Sequence, residues 1–536
     1  MKKSRLSVCL INPRSRPSYW TADYAMPFYG LGRKMKYSMA NGALISVAAL
    51  VPEGHEVVIV DENVEPVDFD ALRRFDVIGV TGMVVQSERM LEILRRLRGL
   101  PALVAVGGPL VTVNEALLDS LCDVRFIGEA EETWPAFLAA LAAGAPTEAR
   151  YEQKEKTDMT RVPVPRFDLL RRGAYGTAPV QFSRGCPFLC EFCDIITIFG
   201  RRPRTKRPEQ VLAELDAVVE QGFRGCFLVD DNFIGNKVEA KRLLPRIIEW
   251  QEARGYPLVF TTEASVNLAN DAELIEMMVR ANFQSVFVGI ETPREASLTE
   301  TRKHQNVHGD SLLAKLGRIR AAGLGVSGGF IVGFDNDDAS IFDEQFEFIQ
   351  ASAIPTLSIS LLTPLPTTPL YDRLKAEGRL DFSDPELIYH PKQMSRERLK
   401  SGFRELLERV FDVDAYFERV FAGAAARRRP EAQRAGLKLR LIVAAAWAAR
   451  AALLALVMAR EGQLLRHLRV APRVLRRNAG LGPDAFDFGD MVNLWITYWH
   501  FASVTRQISG TDFGTVRATR TAGPSAQSAS AFNFKG

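Results

Sequence analysis

Short apolar segments alternate with helical patterns along the first 145 residues of the chain. Apolar runs bounded by Gly, Pro, Asn or Asp stand at residues 8–11, 57–60, 77–80 and 104–106. Helical periodicity lies between and after them, at residues 43–50, 87–97, 114–120 and 133–143. Because this alternation is typical of a parallel sheet wrapped by helices, we predict a doubly wound α/β domain over residues 1–147.

A second alternating series follows residues 148–171, a polar segment with several prolines that is typical of a linker. Its strand candidates are residues 179–182, 226–229, 259–262, 285–288, 328–332 and 357–362. Six strands with intervening helices predict a partial (β/α)6 barrel over residues 172–382. Helical patterns fill residues 383–514. Residues 515–536 are rich in Ser, Ala, Thr and Gly and predict a disordered tail.

The C-terminal helical region carries an unusual concentration of basic residues. Residues 424–480 contain 13 Lys or Arg and two Glu, a net charge of +11, so the rest of the chain is at about −7. Within this region, residues 441–459 are apolar except for Arg450. A central Arg costs about 2.5–3.5 kcal/mol on the insertion scale, which disfavours a membrane span. We therefore predict a buried core helix, with a helix lying on an anionic membrane surface as the alternative.

Composition narrows the class of protein. The chain has 536 residues, 47% hydrophobic and 25% charged, which excludes a wholly disordered, collagenous or disulfide-scaffold protein. A net charge of +4 gives no reason to expect a nucleic-acid partner. The N-terminal apolar run, about five residues long, is too short for a signal peptide. We expect a cytoplasmic protein, with peripheral contact with the inner membrane as an option.

Three of the six cysteines stand within eight residues, in the segment SRGCPFLCEFC. Cys186, Cys190 and Cys193 have the spacing C-x3-C-x2-C, and they follow a strand at the carboxyl end of the predicted barrel. A 4Fe–4S cluster has four irons, so three thiolate ligands leave one iron open. A zinc site usually needs paired C-x2-C units, and no second unit is present. We therefore predict a 4Fe–4S cluster in a reduced compartment.

This spacing within a barrel resembles the radical SAM superfamily, in which the open iron binds S-adenosylmethionine and reductive cleavage gives a 5′-deoxyadenosyl radical. The resemblance implies that the three cysteines ligate the cluster. It also implies S-adenosylmethionine contacts at Phe192, Asp230, Asp231, Glu263, Glu291 and Gly333. Taken singly, each carboxylate is more often a salt-bridge or capping partner. Thr367 replaces the Gly usual in the sixth-strand turn, so we expect a different local backbone there.

The order of the two predicted domains resembles the cobalamin-dependent class of that superfamily. Glycine at strand ends lets backbone approach a large planar ligand, although tight turns alone would also explain it. The implied cobalamin contacts are Thr81, Gly82, Gln86, Gly107, Gly108, Pro109, Gly128 and Glu129. No D-x-H-x-x-G motif is present, and we interpret His55, the one histidine before residue 300, as structural. Cobalamin is then expected to bind without a protein ligand to cobalt.

The strings QFSRGCPFLCEFCDI, FGRRPRTK, VDDNFIGNK and TEASVNLA are similar to the branch that contains the hopanoid C-2 methylases. That resemblance implies methylation of an unactivated carbon in a hydrophobic, lipid-like metabolite, with an external one-electron reductant. Two alternatives stay open. One is a radical SAM oxidoreductase, cyclase or rearranging enzyme without methyl transfer, and the other is an iron–sulfur electron-transfer or sensor protein. No catalytic side chain is assigned beyond the cofactor ligands.

Overall fold

The computed structural model describes residues 5–32, 34–424 and 437–510. The strands of this part of the chain are β1 Ser7–Asn12, β2 Tyr37–Met39, β3 Glu56–Asp61, β4 Val77–Thr81, β5 Leu103–Gly107, β6 Val124–Gly128, β7 Arg150–Gln153, β8 Tyr175–Val180, β9 Ser183–Arg184, β10 Arg204–Thr205, β11 Gly225–Leu228, β12 Val259–Glu263, β13 Phe283–Glu291, β14 Gly325–Val332 and β15 Leu357–Leu361.

Helices follow most of these strands. They are α1 Met26–Tyr29, α2 Gly42–Ala49, α3 Ser87–Leu97, α4 Pro109–Val113, α5 Thr133–Ala143, α6 Ile195–Ile198, α7 Pro208–Glu220, α8 Lys237–Ala253, α9 Ala272–Arg280, α10 Glu295–Glu300, α11 His304–Val307, α12 Leu312–Ala321, α13 Ile341–Ser352, α14 Pro369–Ala376, α15 Arg396–Val410, α16 Val413–Ala422, α17 Leu437–Arg460, α18 Leu464–Gly480 and α19 Phe488–Ser509. The helix predicted at residues 114–120 is instead a 3₁₀ turn, Glu115–Leu118.

The N-terminal sheet is parallel throughout, with strand order β3-β1-β4-β5-β6-β7. Both of its faces are buried. Val8 and Leu10 of β1 belong to one hydrophobic cluster, while Cys9 and Ile11, which point the other way, belong to a second. The predicted doubly wound α/β fold is confirmed, because only a sheet covered on both sides buries consecutive residues of one strand.

The first part of the predicted linker, residues 148–171, is not a linker. Arg150–Gln153 forms β7 and extends the N-terminal sheet by pairing with β6. The segment reads RYEQ and buries only Gln153. A strand at the edge of a sheet has one neighbouring strand and does not need a run of apolar residues. Hydrophobic periodicity therefore did not predict β7.

The second sheet is a curled parallel sheet with strand order β15-β14-β13-β12-β11-β8-β2. Six of its strands confirm the predicted partial barrel, namely β8, β11, β12, β13, β14 and β15. The seventh, β2, comes from the region assigned to the N-terminal domain, yet Tyr37 pairs with Tyr175 and Met39 with Thr177. The domain boundary is therefore wrong for this segment, which joins the barrel edge.

The C-terminal region is helical, as predicted, but the prediction of a buried core helix at residues 441–459 is wrong. These residues lie in α17, where only 11% of the window Val443–Arg460 is buried. Leu454 and Met458 pack inward, whereas Leu456 is 66% exposed. Within the described residues, this one helix is long and apolar enough to cross a membrane by length and composition. Residues 425–436 and the predicted tail at 515–536 lie outside the described residues.

Candidate active site between the two sheets

The cysteine segment leaves the end of β8 and is anchored at its start by the two aspartates that follow β11. The backbone N–H of Ser183 donates to Asp230 Oδ1, and the backbone N–H of Gly185 donates to Asp231 Oδ2 at 2.7 Å. Gly185 has φ of +97°, and a Cβ there would lie 2.9 Å from the carbonyl oxygen of Gly200. The loop therefore requires glycine directly before Cys186.

Amide side chains contact two of the three cysteine sulfurs. Asn232 Nδ2 lies 3.9 Å from Cys186 Sγ, and Gln305 Nε2 lies 3.6 Å from Cys190 Sγ. Burial raises the pKa of Cys193 to about 12 and also raises the pKa of Cys186. Thiols with such high pKa values become thiolates when a metal ion replaces the proton. The N–H···S contacts then stabilise the charge on the ligand sulfurs.

A second set of contacts holds the middle of the cysteine segment. Arg373 of α14 pairs with Glu191, with Nε 2.7 Å from Oε1 and Nη2 3.0 Å from Oε2. The backbone N–H of Glu191 donates to the carbonyl of Thr301, and its own carbonyl accepts from Leu370. Glu191 is therefore fixed from both sides, which sets the path of the chain between Cys190 and Cys193.

The chemistry of the donor set fits an iron–sulfur cluster. Among the described residues, no three His, Cys, Asp or Glu side chains converge on one ion. Thiolates that each bind a different iron of a cubane stand farther apart than ligands sharing one zinc. Three cysteines on one loop, with N–H donors beside two sulfurs, are the donor set that a 4Fe–4S cluster needs.

A buried ion pair faces the cysteine segment from the end of β13. Lys303 pairs with Glu291, and its Nζ lies 5.7 Å from the centre of the Phe192 ring. Burial lowers the pKa of Lys303, but the charges of Glu291 and of the Cys190 and Cys193 sulfurs raise it more, so Lys303 stays protonated. The backbone of Glu291 has φ of +67°, an uncommon conformation outside glycine.

Three further carboxylates lie at the ends of neighbouring barrel strands. Burial raises the pKa of Glu263 to about 7, and the nearby charge of Asp231 adds to this rise. Burial likewise raises the pKa of Asp230 to about 7 and that of Asp231 to about 6. Asp230 is 1% exposed and lies beneath the cysteine segment, whereas Glu263 is partly accessible. Buried acids of this kind favour a cationic ligand, which would restore their ionised form.

Two turns close the far side of the barrel mouth. Gly333 has φ of +108°, its N–H donates to Asp337 at 2.9 Å, and its carbonyl accepts from the Tyr389 hydroxyl at 2.6 Å. Thr367 has φ of +72°, in the left-handed region that favours glycine. The expectation that replacing Gly would change this turn is therefore wrong, because the threonine adopts a glycine-like backbone.

A cavity of about 420 Å³ lies between the carboxyl ends of the N-terminal sheet and the start of the cysteine segment. Six of the eight residues predicted to contact cobalamin line it: Thr81, Gly107, Gly108, Pro109, Gly128 and Glu129. On the barrel side, Pro179, Gln181 and Arg184 line the same cavity. Gly108 has φ of +99°, and a Cβ there would collide with Thr81 Oγ1. This turn of the cavity lining therefore requires glycine at position 108.

The structure places the other two predicted cobalamin contacts away from the cavity lining. Gln86 is buried, and its Nε2 donates to Asn12 Oδ1 at 3.2 Å and to the Pro13 carbonyl at 2.6 Å. Gly82 packs against Met90, whose Sδ would lie 2.9 Å from an added Cβ. His55 is structural, as interpreted, because its Nδ1 accepts from the backbone N–H of Leu6.

Glu129 lines the cavity but is already engaged by the protein. It pairs with Arg204 at 2.9 Å and with Arg184 at 3.1 Å, and it accepts from the backbone N–H of Thr157 at 2.7 Å. Burial raises the pKa of Glu129, but the hydrogen bond from Arg204 and the charge of Arg184 outweigh it, so the pKa lies below its usual range. Glu129 therefore joins the N-terminal sheet to the cysteine segment.

The structure brings in functional residues that the sequence analysis did not select. Lys303, Gln305 and Arg373 face the cysteine segment from beyond β13 and from α14. Lys303 lies 12 residues after Glu291, with no motif or periodicity to mark it. Asn232 lies in the string VDDNFIGNK, so its position after a strand was the one available signal.

Comparisons with known proteins agree with this geometry. Three family models match: the B12 binding domain over residues 30–138, the radical SAM superfamily over residues 180–349, and a domain of unknown function over residues 368–512. The chain is 40% identical over 418 residues to an uncharacterised methyltransferase of Synechocystis sp., covering 76% of this chain and 77% of the relative. It is 34% identical over 420 residues to the hopanoid C-2 methylase of Rhodopseudomonas palustris, covering 78% and 79%.

A solved structure shows the same fold. The cobalamin-dependent S-adenosylmethionine radical enzyme OxsB, with aqua-cobalamin and S-adenosylmethionine bound, aligns with a TM-score of 0.60 at 16% identity, covering 94% of this chain and 80% of OxsB. Two parallel sheets with a cysteine loop and a glycine-lined cavity between them define a radical SAM enzyme with a cobalamin-binding domain. The chain belongs to the cobalamin-binding radical SAM family that includes the hopanoid C-2 methylase. Its cofactors are a 4Fe–4S cluster, S-adenosylmethionine and cobalamin.

Proposed function

We propose that this enzyme methylates an unactivated carbon of a hydrophobic, lipid-like metabolite. One observation carries the proposal: Arg184, two residues before Cys186, lines the same cavity as Gly108 and Gly128 of the N-terminal sheet. A radical source and a methyl source would then face one substrate. The hopanoid C-2 methylase, at 34% identity, supports a polycyclic lipid as the substrate class.

When bound, S-adenosylmethionine and the cluster supply a hydrogen-abstracting radical, and cobalamin supplies a transferable methyl group. The chain's own residues bind and orient. The cysteine segment, fixed by Arg373 and by the Asp230 and Asp231 contacts, holds the reacting centre at a constant position relative to the barrel. Positioning of this kind is what the protein contributes when cofactors carry the reaction.

We propose further that Phe192, Asp231, Glu263 and Glu291 contact S-adenosylmethionine, with Asp230 and Gly333 shaping the site behind them. The raised pKa of Glu263 supports a partner with a positive charge, such as the ammonium group of the methionine moiety. For cobalamin we propose backbone contact at the turns that line the cavity, namely Thr81, Gly107, Gly108, Pro109 and Gly128. Glu129, Gly82 and Gln86 would then support those turns rather than touch the ligand.

The experiment that tests the reaction is anaerobic purification with added cobalamin, followed by a product assay. The enzyme would be incubated with S-adenosylmethionine, a one-electron reductant and a pentacyclic hopanoid in detergent micelles. We expect 5′-deoxyadenosine, S-adenosylhomocysteine and a product in which a methyl group has replaced one hydrogen of the substrate. Formation of 5′-deoxyadenosine and a changed substrate without S-adenosylhomocysteine would favour a cyclase or oxidoreductase. Absence of S-adenosylmethionine cleavage in a cluster-loaded enzyme would favour an electron-transfer protein.

We also propose that the enzyme works at the cytoplasmic face of a membrane, with α17 and α18 as its peripheral contact. Leu465, Leu468 and Leu475 are 69%, 55% and 54% exposed on α18, and Leu456 is 66% exposed on α17. An exposed apolar stripe beside basic side chains is typical of a helix that lies on an anionic surface. A nearly insoluble substrate would then be collected where it resides.

Not every arginine on α18 is free for this role. Arg466 pairs with Asp412 at 3.3 Å, Arg473 with Asp414 at 2.7 Å and Arg477 with Glu418 at 3.1 Å, which leaves Arg469 and Arg476. The leucines and the remaining arginines therefore carry the proposal. Co-sedimentation with anionic vesicles should fall when Leu465, Leu468 and Leu475 are changed together to Gln. The matched control is Arg242→Gln with Arg246→Gln on α8. Equal recovery in the supernatant with and without anionic vesicles would reject the membrane contact.

A further inference from the structure

The segment Ser18–Gly30, which we name the strap, leaves the N-terminal sheet and is held by the C-terminal helices. The Tyr19 ring stacks on Phe411 and Phe501, with ring centres 5.2 Å and 5.5 Å apart. Its hydroxyl lies 3.2 Å from Thr505 Oγ1, and its carbonyl lies 3.3 Å from His500 Nε2. Hydrogen-bonding groups 481 and 486 positions apart in sequence thus fix the start of the strap.

The rest of the strap is tied to the same helices. The Tyr24 hydroxyl donates to Gln507 at 3.1 Å, and the Tyr29 hydroxyl donates to Asn493 at 3.0 Å, both on α19. Arg450, in the middle of α17, donates through Nε to the Phe28 carbonyl at 3.1 Å. The arginine that interrupts the apolar helix therefore has a structural partner in the strap.

Trp20, the strap residue that follows Tyr19, contacts the barrel. It is 49% exposed, and its ring meets Phe287 edge-on, with centres 4.9 Å apart and planes at 86°. On β13, Val286 and Val288 are fully buried, so Phe287 between them lies on the opposite, inner face of the curled sheet. Strand β13 of the barrel and the strap, which the C-terminal helices hold, therefore meet at one aromatic pair.

Phe287 stands at the level of the S-adenosylmethionine site. Its partner in the β12–β13 register is Glu263. On the other side its register partner is Ser327 of β14, and Gly329 lies beneath its ring, where a Cβ would be 2.6 Å from Cζ. The Phe287 ring thus covers Gly329 in the strand next to β13 and stands beside Glu263.

We propose that Trp20 and Phe287 form the apolar wall of the substrate site, and that the C-terminal helices position this wall through the strap. The occupant is the rigid, polycyclic hydrocarbon part of the substrate, since a half-exposed indole set edge-on against a phenyl ring offers a broad apolar surface without charge. This inference rests on the proposed function for the substrate class, but the wall itself is independent of it.

Quenching of tryptophan fluorescence tests the wall without turnover. The probe is a doxyl-labelled cholestane, added to the full-length protein below its micellar concentration. We expect saturable quenching in the wild type, loss of that component in Trp20→Phe, and its retention in the matched control Trp447→Phe on α17. Quenching of Trp20→Phe equal to that of the wild type would overturn the proposal.

The strap is tested by loosening it from the C-terminal helices. Tyr19→Leu removes the stacking on Phe411 and Phe501, and Thr505→Val removes only the hydrogen bond to the Tyr19 hydroxyl. We expect the probe concentration at half-saturation to rise about tenfold in Tyr19→Leu and less in Thr505→Val. The absorbance of the cluster serves as the folding control. Wild-type affinity in a correctly folded Tyr19→Leu would show that the helices do not position the wall.

Kinetics with a hopanoid in micelles separate this inference from the proposed function. Trp20→Ala should raise KM about tenfold with a smaller change in kcat, while Phe488→Ala, 57% exposed on α19, should leave KM unchanged. If the wild type does not methylate the hopanoid but keeps Trp20-dependent quenching, the substrate class fails and the wall stands. If the wild type methylates it and Trp20→Ala has wild-type KM, the wall fails and the proposed function stands.

Discussion

The two parallel sheets present opposite kinds of edge to the same interior. The N-terminal sheet ends in glycine-containing turns, and Gly107, Gly108 and Gly128 line the cavity there. The barrel strands end in charged side chains, namely Glu263 and the Glu291–Lys303 ion pair. A large planar cofactor is bound by surface contact, whereas a small charged cofactor is bound by electrostatic complementarity. Strand ends of one geometry thus serve two kinds of ligand.

The two edges also differ in how they are held. Around the cysteine segment, hydrogen bonds and ion pairs from several strands and from α14 converge on backbone and side chains. Around the cavity, the positive φ of Gly108 sets the shape of the turn. Single substitutions should therefore separate the two functions, since each edge depends on a different physical property.

The largest effect should come from Cys190→Ala. Loss of one of three thiolate ligands should abolish the cluster absorbance near about 400 nm and, with it, all S-adenosylmethionine cleavage, while cobalamin binding persists. Cys122→Ala is the matched control, because Cys122 is partly buried in the N-terminal domain and contacts the Leu118 carbonyl. Full cleavage activity in Cys190→Ala would contradict the cluster assignment.

The next largest effect should come from Gly108→Ala, which should impair cobalamin binding and leave S-adenosylmethionine cleavage intact. The added Cβ would meet Thr81 Oγ1 at the cavity wall, so cobalamin retention and methyl transfer should fall while 5′-deoxyadenosine formation continues. Gly99→Ala controls for backbone strain alone, because Gly99 has φ of +86° with no atom within 4 Å of an added Cβ. Gly99→Ala should cost roughly 1–2 kcal/mol of stability, and Gly108→Ala should cost more because its Cβ also meets Thr81 Oγ1. Equal cobalamin content in the two variants would reject the cavity as the binding site.

The barrel edge should respond to pH through Glu263. Its pKa, raised to about 7 by burial and by the nearby Asp231, leaves it mostly protonated below pH 7. Because the S-adenosylmethionine ammonium prefers the ionised carboxylate, affinity should rise with pH, with KM for S-adenosylmethionine about tenfold lower at pH 8 than at pH 6. Glu263→Gln should bind weakly and show no such trend. A pH-independent KM in the wild type would remove Glu263 from the site.

The smallest effect should come from Glu129→Gln, at the junction of the two edges. The amide keeps part of the hydrogen bonding but loses the charge that pairs with Arg184 and Arg204. We expect the ratio of methylated product to 5′-deoxyadenosine to fall about two- to threefold, the scale of a weakened charge-assisted hydrogen bond. Glu152→Gln, an exposed partner of Arg150, is the control. An unchanged ratio would limit Glu129 to a structural role.

Hydrophobic periodicity and residue spacing predicted those parts of the structure that depend on short stretches of the sequence. Strands buried on two faces need apolar runs, so the apolar strands of both sheets were predicted in their order along the chain. The cysteine spacing predicted the cluster because its ligands lie on one short loop. Polar or aromatic segments gave no such signal. β7 contains one buried residue, and the strap has neither the alternation of a strand nor the stripe of a helix.

Other outcomes depended on contacts between distant residues. Gln86 follows a strand end, as a ligand contact would, but tertiary packing turns it toward Asn12 and Pro13. Lys303 reaches the cysteine segment because the chain turns back after β13. For the helix at Leu437–Arg460, composition alone fitted a core position, yet the core was already filled by other elements and the helix lies at the surface.

The sequence by itself determined the fold class and the family, and it predicts the cluster ligands, because each depends on spacing or periodicity within a short stretch of chain. The tertiary structure decided which strand-end residues share the interior, which carboxylates are buried enough to have raised pKa values, and how Trp20 reaches Phe287. Those properties depend on desolvation and on distances across the fold, and neither is a function of position along the chain.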